Sequence, residues 1–279
     1  MEQRTTVGNK LLAALPSADL DLLVPHFRKV ALERDTVLAR SGDPVQRIYF
    51  PLSGLVAFIM DMPSGETVAT AVVGNDGAAG LLSALGPTRS PVTTAVRIAG
   101  TALQISPARF QAALRRSNPI RVVVQTLTRS LLAQFQHTAA CNALHTVEAR
   151  LARWLLQVHD RAEGDVLPLT QETLSEMLGV RRPTVTHVVR RLRASGAIRS
   201  NRRSFIEIDR PRLETAACEC YQLMRRRIEQ INSPEEMHLP DSAGPADGLR
   251  PQAPLFAKTD DVHPRTASHD GMLHRPRSH

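Results

Sequence analysis

LTQETLSEMLGVRRPTVTHVVRRL, residues 169–192, reads as two short helices joined by a tight turn. Thr170 stands where its hydroxyl caps the first helix; Glu172, Thr173 and Glu176 make its first turns polar, and Leu174, Met177 and Leu178 recur at helical spacing. Gly179 ends that helix, because a glycine just past the last apolar position takes the left-handed conformation at little cost. Pro183 then suits the first turn of a second helix, where its missing N–H is no loss. Val185, Val188, Val189 and Leu192 make one side of that helix, and Arg182, Thr186, His187, Arg190 and Arg191 make the rest. The layout is that of a helix-turn-helix whose second helix enters a major groove.

Roles follow from reach and spacing. Arg182, Thr186 and His187 are expected at base edges, since their spacings put hydrogen-bonding groups on one exposed face. Thr184, Arg190 and Arg191 are expected on phosphates, and Arg181 is a further expected DNA contact. Downstream, Gly196 closes the second helix, and residues 198–200 and 204–208 predict a hairpin tipped by Asn201, Arg202 and Arg203. A basic tip there reads as a wing, with Arg202 and Arg203 on the sugar-phosphate backbone. Thirteen arginines face seven acids between Thr170 and Gln230, so most of the formal charge of +8 sits on this module, as nucleic-acid binding requires.

The run LTQETLSEMLGVRRPTVTHVVRRLRASGAI, followed by IEIDRPRLETAACECY, resembles the C-terminal half of Crp/Fnr transcription regulators. It includes the Asp-Arg-x-x-Leu-Glu and Cys-x-Cys-Tyr of one branch whose effector is unassigned. The likeness runs from near the start of the chain to Gln230 and is strongest over Leu169 to Tyr221. It implies an α+β chain: an N-terminal antiparallel jelly roll of the cyclic-nucleotide-binding type over residues 1–117, a dimerisation helix over 118–143 and a winged helix-turn-helix over 144–230. It also implies double-stranded DNA, a second copy of the chain and RNA polymerase as partners.

The rest of the chain fits that frame. Its 279 residues, 42% apolar, suffice for two modest domains. No run approaches the roughly eighteen apolar residues of a membrane span, and MEQRTTVGNK lacks the apolar core of a signal peptide, so a reducing cytosol is expected and no membrane partner. Asn9 to His26 reads as one or two short helices around Pro16-Ser17. From Phe27 to Ile105, β-rich runs at 30–32, 36–38, 48–50, 55–59, 67–73, 93–98 and 102–105 alternate with turn signals such as Ser53-Gly54 and Pro63-Ser64-Gly65, the pattern of a roll or barrel.

The resemblance implies that a cyclic-nucleotide binder carries a Gly-Glu and then an Arg-Ser/Thr-Ala, for the ribose hydroxyl and the cyclic phosphate. Residues 74–82 here read GNDGAAGLL and residues 89–95 read RSPVTTA, with no Gly-Glu and no arginine before Thr93-Thr94-Ala95. Arg89 is placed in a loop. The expected signal is therefore something other than cyclic AMP, with the effector unknown; the alternative is a cyclic-nucleotide-dependent regulator with a divergent cassette.

No cofactor or metal is expected. The chain has no cysteine before Cys141, and Cys218-Glu219-Cys220 is too short to hold an iron–sulfur cluster alone, so these read as partly buried helix cysteines. His26 and His137, weighed as haem ligands, read as ordinary surface or core residues. No nucleophile with a paired base or phosphate-cradling loop is evident, so no catalysis is expected.

Pro107 to Ser117 predicts a short helix. Asn118-Pro119 starts a helix of about five turns, on which Ile120, Val123, Val124, Leu127, Leu131 and Phe135 form an apolar seam. A helix packed only on its own roll is the alternative, but the length of the stripe and the Crp/Fnr resemblance favour a parallel two-fold dimer, with its seam at Ile120, Val124, Leu127, Leu131 and Phe135. Thr146 to His159 is a further amphipathic helix. Residues 231–279, with their many prolines and five histidines, lack periodicity and are expected to be disordered.

Overall fold

The computed structural model describes residues 8–86, 89–162, 164–200 and 205–233. The expected wing tip with Arg202 and Arg203, and nearly all of the expected disordered tail, lie outside the described residues. No helix among the described residues is long and apolar enough to cross a membrane.

Seven strands build the N-terminal roll: β1 (Arg28–Leu32), β2 (Val37–Ala39), β3 (Ile48–Pro51), β4 (Leu55–Asp61), β5 (Thr67–Val73), β6 (Thr93–Ile98) and β7 (Gly100–Ile105). They form two antiparallel sheets, ordered β1-β7-β3 and β2-β6-β4-β5. The strands fall close to the β-rich runs of the sequence. Side chains from both sheets, among them Ile48, Phe50, Val56, Phe58 and Val96, share one core, so the roll closes on itself.

Strand β4 is buried on both faces. Val56 and Phe58 point into the roll, while Leu55, Ala57 and Ile59 belong to a second core on the outer side, because successive residues of a strand alternate between faces. Its partner keeps pace through a bulge: Phe58 pairs with Ala71 and Ile59 with Ala69, leaving Thr70 extra. The Thr70 hydroxyl donates to the Phe58 carbonyl at 3.1 Å.

Short helices α1 (Lys10–Ala13) and α2 (Ser17–Leu20) precede the roll, and α3 (Pro107–Arg116) follows it. Then comes α4 (Asn118–Leu144), 27 residues long and so longer than the sequence pattern suggested. The Ser117 hydroxyl accepts from the Ile120 N–H at 3.1 Å and caps it.

The apolar seam of α4 is spent inside the chain. Ile120, Val123, Val124, Leu127 and Leu131 are all buried in the roll's own core, and Phe135 packs half-buried against it. This corrects the expected dimer seam. The 3.6-residue period showed that one face of α4 is covered, and what covers it is β-strand from the same polypeptide.

The C-terminal half contains α5 (Val147–His159), β8 (Val166–Leu167), α6 (Gln171–Leu178), α7 (Arg182–Ala194), β9 (Ile198–Ser200), β10 (Ile206–Ile208), α8 (Arg210–Ala216) and α9 (Cys220–Ile231). The hairpin β9-β10 is present, and β8 adds a third strand to it in the order β8-β10-β9. Two residues before Pro168 are too short a run to show in the sequence.

Trp154, Leu174, Met177, Val185, Leu192 and Tyr221 of this half share one core with Leu55, Ala57, Ile59, Ala69, Val72 and Ala95 of the roll. The helix-turn-helix therefore covers the outer face of the four-stranded sheet. Polar ties reinforce the junction: Arg161 holds Asp76 at 2.8 Å, Arg97 holds Glu176 at 2.5 Å, and Arg34 donates to the Pro168 carbonyl.

Candidate nucleic-acid interface

The helix-turn-helix forms as its local chemistry dictates. Thr170 Oγ1 accepts from the Thr173 N–H at 3.0 Å and caps α6. Gly179 ends α6 at φ 62°, in the left-handed region, and a Cβ there would press against Val68 at 3.2 Å. Pro183 lies in the first turn of α7. Val185, Val188, Val189 and Leu192 are buried on one side of α7, against a core that includes Leu174, Met177 and Leu178 of α6.

With 3.6 residues per turn, the line opposite that buried stripe carries Pro183, His187, Arg190 and Ala194, and all four are exposed. Arg181, at the N-cap, and Arg182, at the first helical position, are exposed too, as is Thr184.

Two expected contacts are already engaged. Thr186, half-buried, is turned towards α6, where its hydroxyl lies 2.9 Å from Gln171 Oε1. Arg191 Nε lies 2.7 Å from Glu148 Oε2 on α5. The structure thus separates Thr186 from His187, which the sequence put on one face, and brings Arg190 onto the outward line instead. Arg182 pairs with Glu172, but both side chains are more than half exposed, so the pair contributes only about 0–1 kcal/mol and is readily exchanged for another acceptor.

Within the roll, a cavity of about 350 Å³ lies between the four-stranded sheet, the segments before β6 and α4, walled by Phe58, Leu81, Val92, Leu131 and Phe135 among others. Gly80, at φ 79°, introduces the short helical turn Leu81–Leu85 beside it. No carboxylate lines the cavity among the described residues, and Arg89, the arginine at its rim, donates to the Gly42 carbonyl at 2.7 Å.

The three cysteines are more buried than expected, Cys218 lies between two helices and not within one, and the three are not scattered. Cys141, near the end of α4, meets Cys218 and Cys220 at the α8–α9 junction, and His145 just past α4 joins them. The thiol of Cys218, hydrogen-bonded to Cys141, together with the nearby Arg153 charge, holds the Cys141 thiol well below the usual range, and Cys218 itself is pushed up. Sequence reasoning missed this grouping. Its only local traces are a cysteine and a histidine four residues apart and the Cys-x-Cys.

Similarity searches agree with this geometry. A model of the cyclic nucleotide-binding domain matches residues 29–117, and a model of the Crp-like helix-turn-helix domain matches residues 149–216. A CRP-like cAMP-activated global transcriptional regulator from Mycobacterium tuberculosis is 27% identical over 214 residues, covering 72% of this chain and 93% of the relative. Among solved structures, FixK2 from Bradyrhizobium japonicum superposes with a TM-score of 0.60 at 17% identity, covering 69% of this chain and 98% of that one. The c-di-GMP-responsive global regulator CLP from Xanthomonas campestris does so with a TM-score of 0.56 at 19% identity, covering 69% and 99%.

Proposed function

Since this chain belongs to the Crp/Fnr family of transcription regulators, we propose that it binds a two-fold symmetric duplex site as a homodimer. In this reading residues 1–117 sense a signal, 118–143 link and dimerise, and 144–230 bind DNA, with RNA polymerase as the downstream partner. The observation that carries it is the exposed recognition helix: its outward line bears His187 and Arg190, Arg182 stands at its N-terminal end, and its opposite side is locked into the core.

Arg182 and His187 are the proposed base readers, Arg182 by a bidentate contact to guanine O6 and N7. Thr186 joins them only if it leaves Gln171. Arg181, Thr184 and Arg190 hold phosphates, as do Arg202 and Arg203 on the wing. Arg191 has a lesser part while it is held by Glu148.

Because the apolar seam is buried, the dimer face is assigned to the opposite stripe of α4. Gln125, Leu132, Gln136, Ala139 and Ala143 are exposed there at spacings of seven, four, three and four. Leu132 is 53% exposed and supplies the apolar centre of that stripe.

For the signal, the apolar walls and single arginine support a small, mainly apolar ligand with at most one anionic group. A cyclic nucleotide, the class named for the tuberculosis relative, is disfavoured by the missing carboxylate. Binding of labelled duplexes across a salt series tests the DNA reading. Tight binding to one sequence, weakening linearly in log–log form as salt rises, is expected; binding that is weak and indifferent to sequence at every salt would refute it.

A further inference from the structure

We propose that Cys141, His145, Cys218 and Cys220 form a tetrahedral site for a single thiophilic divalent cation, Zn2+ by class, which ties the end of the long helix to the C-terminal helices. The four ligand atoms lie within 4.8 Å of one another, although the chain separates the outer two pairs widely. Cys141 Sγ is 3.5 Å from Cys218 Sγ, and Cys220 Sγ is 3.6 Å from His145 Nδ1. Around one tetrahedral Zn2+ with Zn–S near 2.3 Å, two sulfurs stand about 3.8 Å apart, so these two pairs are already at ligand spacing and the widest of the other pairs need close by no more than about 1 Å. An iron–sulfur cluster would hold its ligands farther apart, because they bind different irons.

Two further features belong to a metal site. His145 presents Nδ1 to the thiols while its Nε2 lies 3.1 Å from Glu219 Oε1, and a carboxylate on the far nitrogen is the usual device for fixing a ligating imidazole. Arg153 is fully buried, with Nε and Nη2 lacking hydrogen-bond partners among the described residues, and it lies close enough to Cys141 to act on its charge. Three thiolates around Zn2+ leave one net negative charge, and two buried guanidiniums, Arg153 and Arg150, lie close enough to act on it. Loading releases the remaining thiol protons to solvent.

Three cysteines and a histidine fill all four positions, which makes the site closed and structural, not catalytic. Its place gives it a role. Cys141 and His145 sit at the end of α4, Cys218 and Cys220 between α8 and α9, and none of the four falls within the spans matched by either family model. The cation would clamp the linking helix to the DNA-binding half. This inference is independent of the DNA reading, since its test contains no DNA.

The test uses the reduced, full-length chain without a metal-binding tag. It is expected to retain about one equivalent of Zn2+ per chain and, once exchanged with Co2+, to show a thiolate-to-cobalt charge-transfer band with intense visible bands of tetrahedral geometry. The histidines of the C-terminal segment cannot produce that band. Cys141→Ser and Cys218→Ser should abolish or displace it, and Zn2+ should raise the melting temperature of the wild type but not of the variants. Should a variant fail to fold, the wild-type spectrum and the protection of its three thiols by Zn2+ still decide. A folded, reduced wild type with no such band, and with thiols equally reactive with and without Zn2+, would overturn the proposal. So would an iron–sulfur chromophore with labile sulfide, or a Cys141–Cys218 disulfide as the resting state.

Discussion

The ring of Phe135 on the long helix stands edge-on to that of Phe58 in the roll, with centroids 6.5 Å apart and planes at 75°. Both rings line the roll cavity, so whatever occupies it touches the helix that leads to the DNA-binding half. Phe135→Ala should enlarge the cavity and cost about 2 kcal/mol, less than a fully buried phenylalanine because the ring is half-exposed. Urea unfolding measures the loss. Sedimentation of the same variant should still show a dimer; a clean monomer would return Phe135 to the interface.

Neighbouring leucines on α4 should behave in opposite ways. Leu131 is 1% exposed and lies in the roll's core, whereas Leu132 is 53% exposed. Leu132→Glu should give a folded monomer with weakened operator binding, while Leu131→Glu buries a carboxylate and should cost several kcal/mol, about enough to unfold the roll. Circular dichroism with analytical ultracentrifugation separates the two. A dimeric Leu132→Glu protein would place the interface elsewhere.

Arg190 and Arg191 are adjacent and equally basic, yet only Arg191 is engaged by a carboxylate, that of Glu148. Arg190→Ala should lower the slope of log K against log salt by about 0.9 per chain, as expected for one lost phosphate contact. Arg191→Ala should change it less. Titrations of one operator at several salt concentrations measure both slopes, and equal slopes for the two variants would show that Arg191 leaves Glu148 on binding.

Much of this was legible in the sequence where the determinants are local. The Thr170 cap, the left-handed Gly179 and Pro183 at the start of α7 are each set by one residue's own chemistry, and each holds in the structure. Strand β5 matches its β-branched run residue for residue. What escaped was relational. The stripe on α4 revealed a covered face but not its cover, and the five consecutive buried residues of β4 concealed that two different cores claim its two sides. The grouping of Cys141 with Cys218 depends on α9 packing along α4, across 77 residues of chain, which no spacing rule reports.

Base reading by α7 should depend first on Arg182, at its N-terminal end. Selection of bound sites from a random duplex pool, performed in parallel with wild type and Arg182→Ala, tests it most directly. Wild type should return two related half-sites with centres about one helical turn apart, and Arg182→Ala should lose about 1–3 kcal/mol on that site and relax the choice at one base pair in each half. If Arg182→Ala returns the same motif with the same stringency, or if wild type enriches no motif, the account is contradicted.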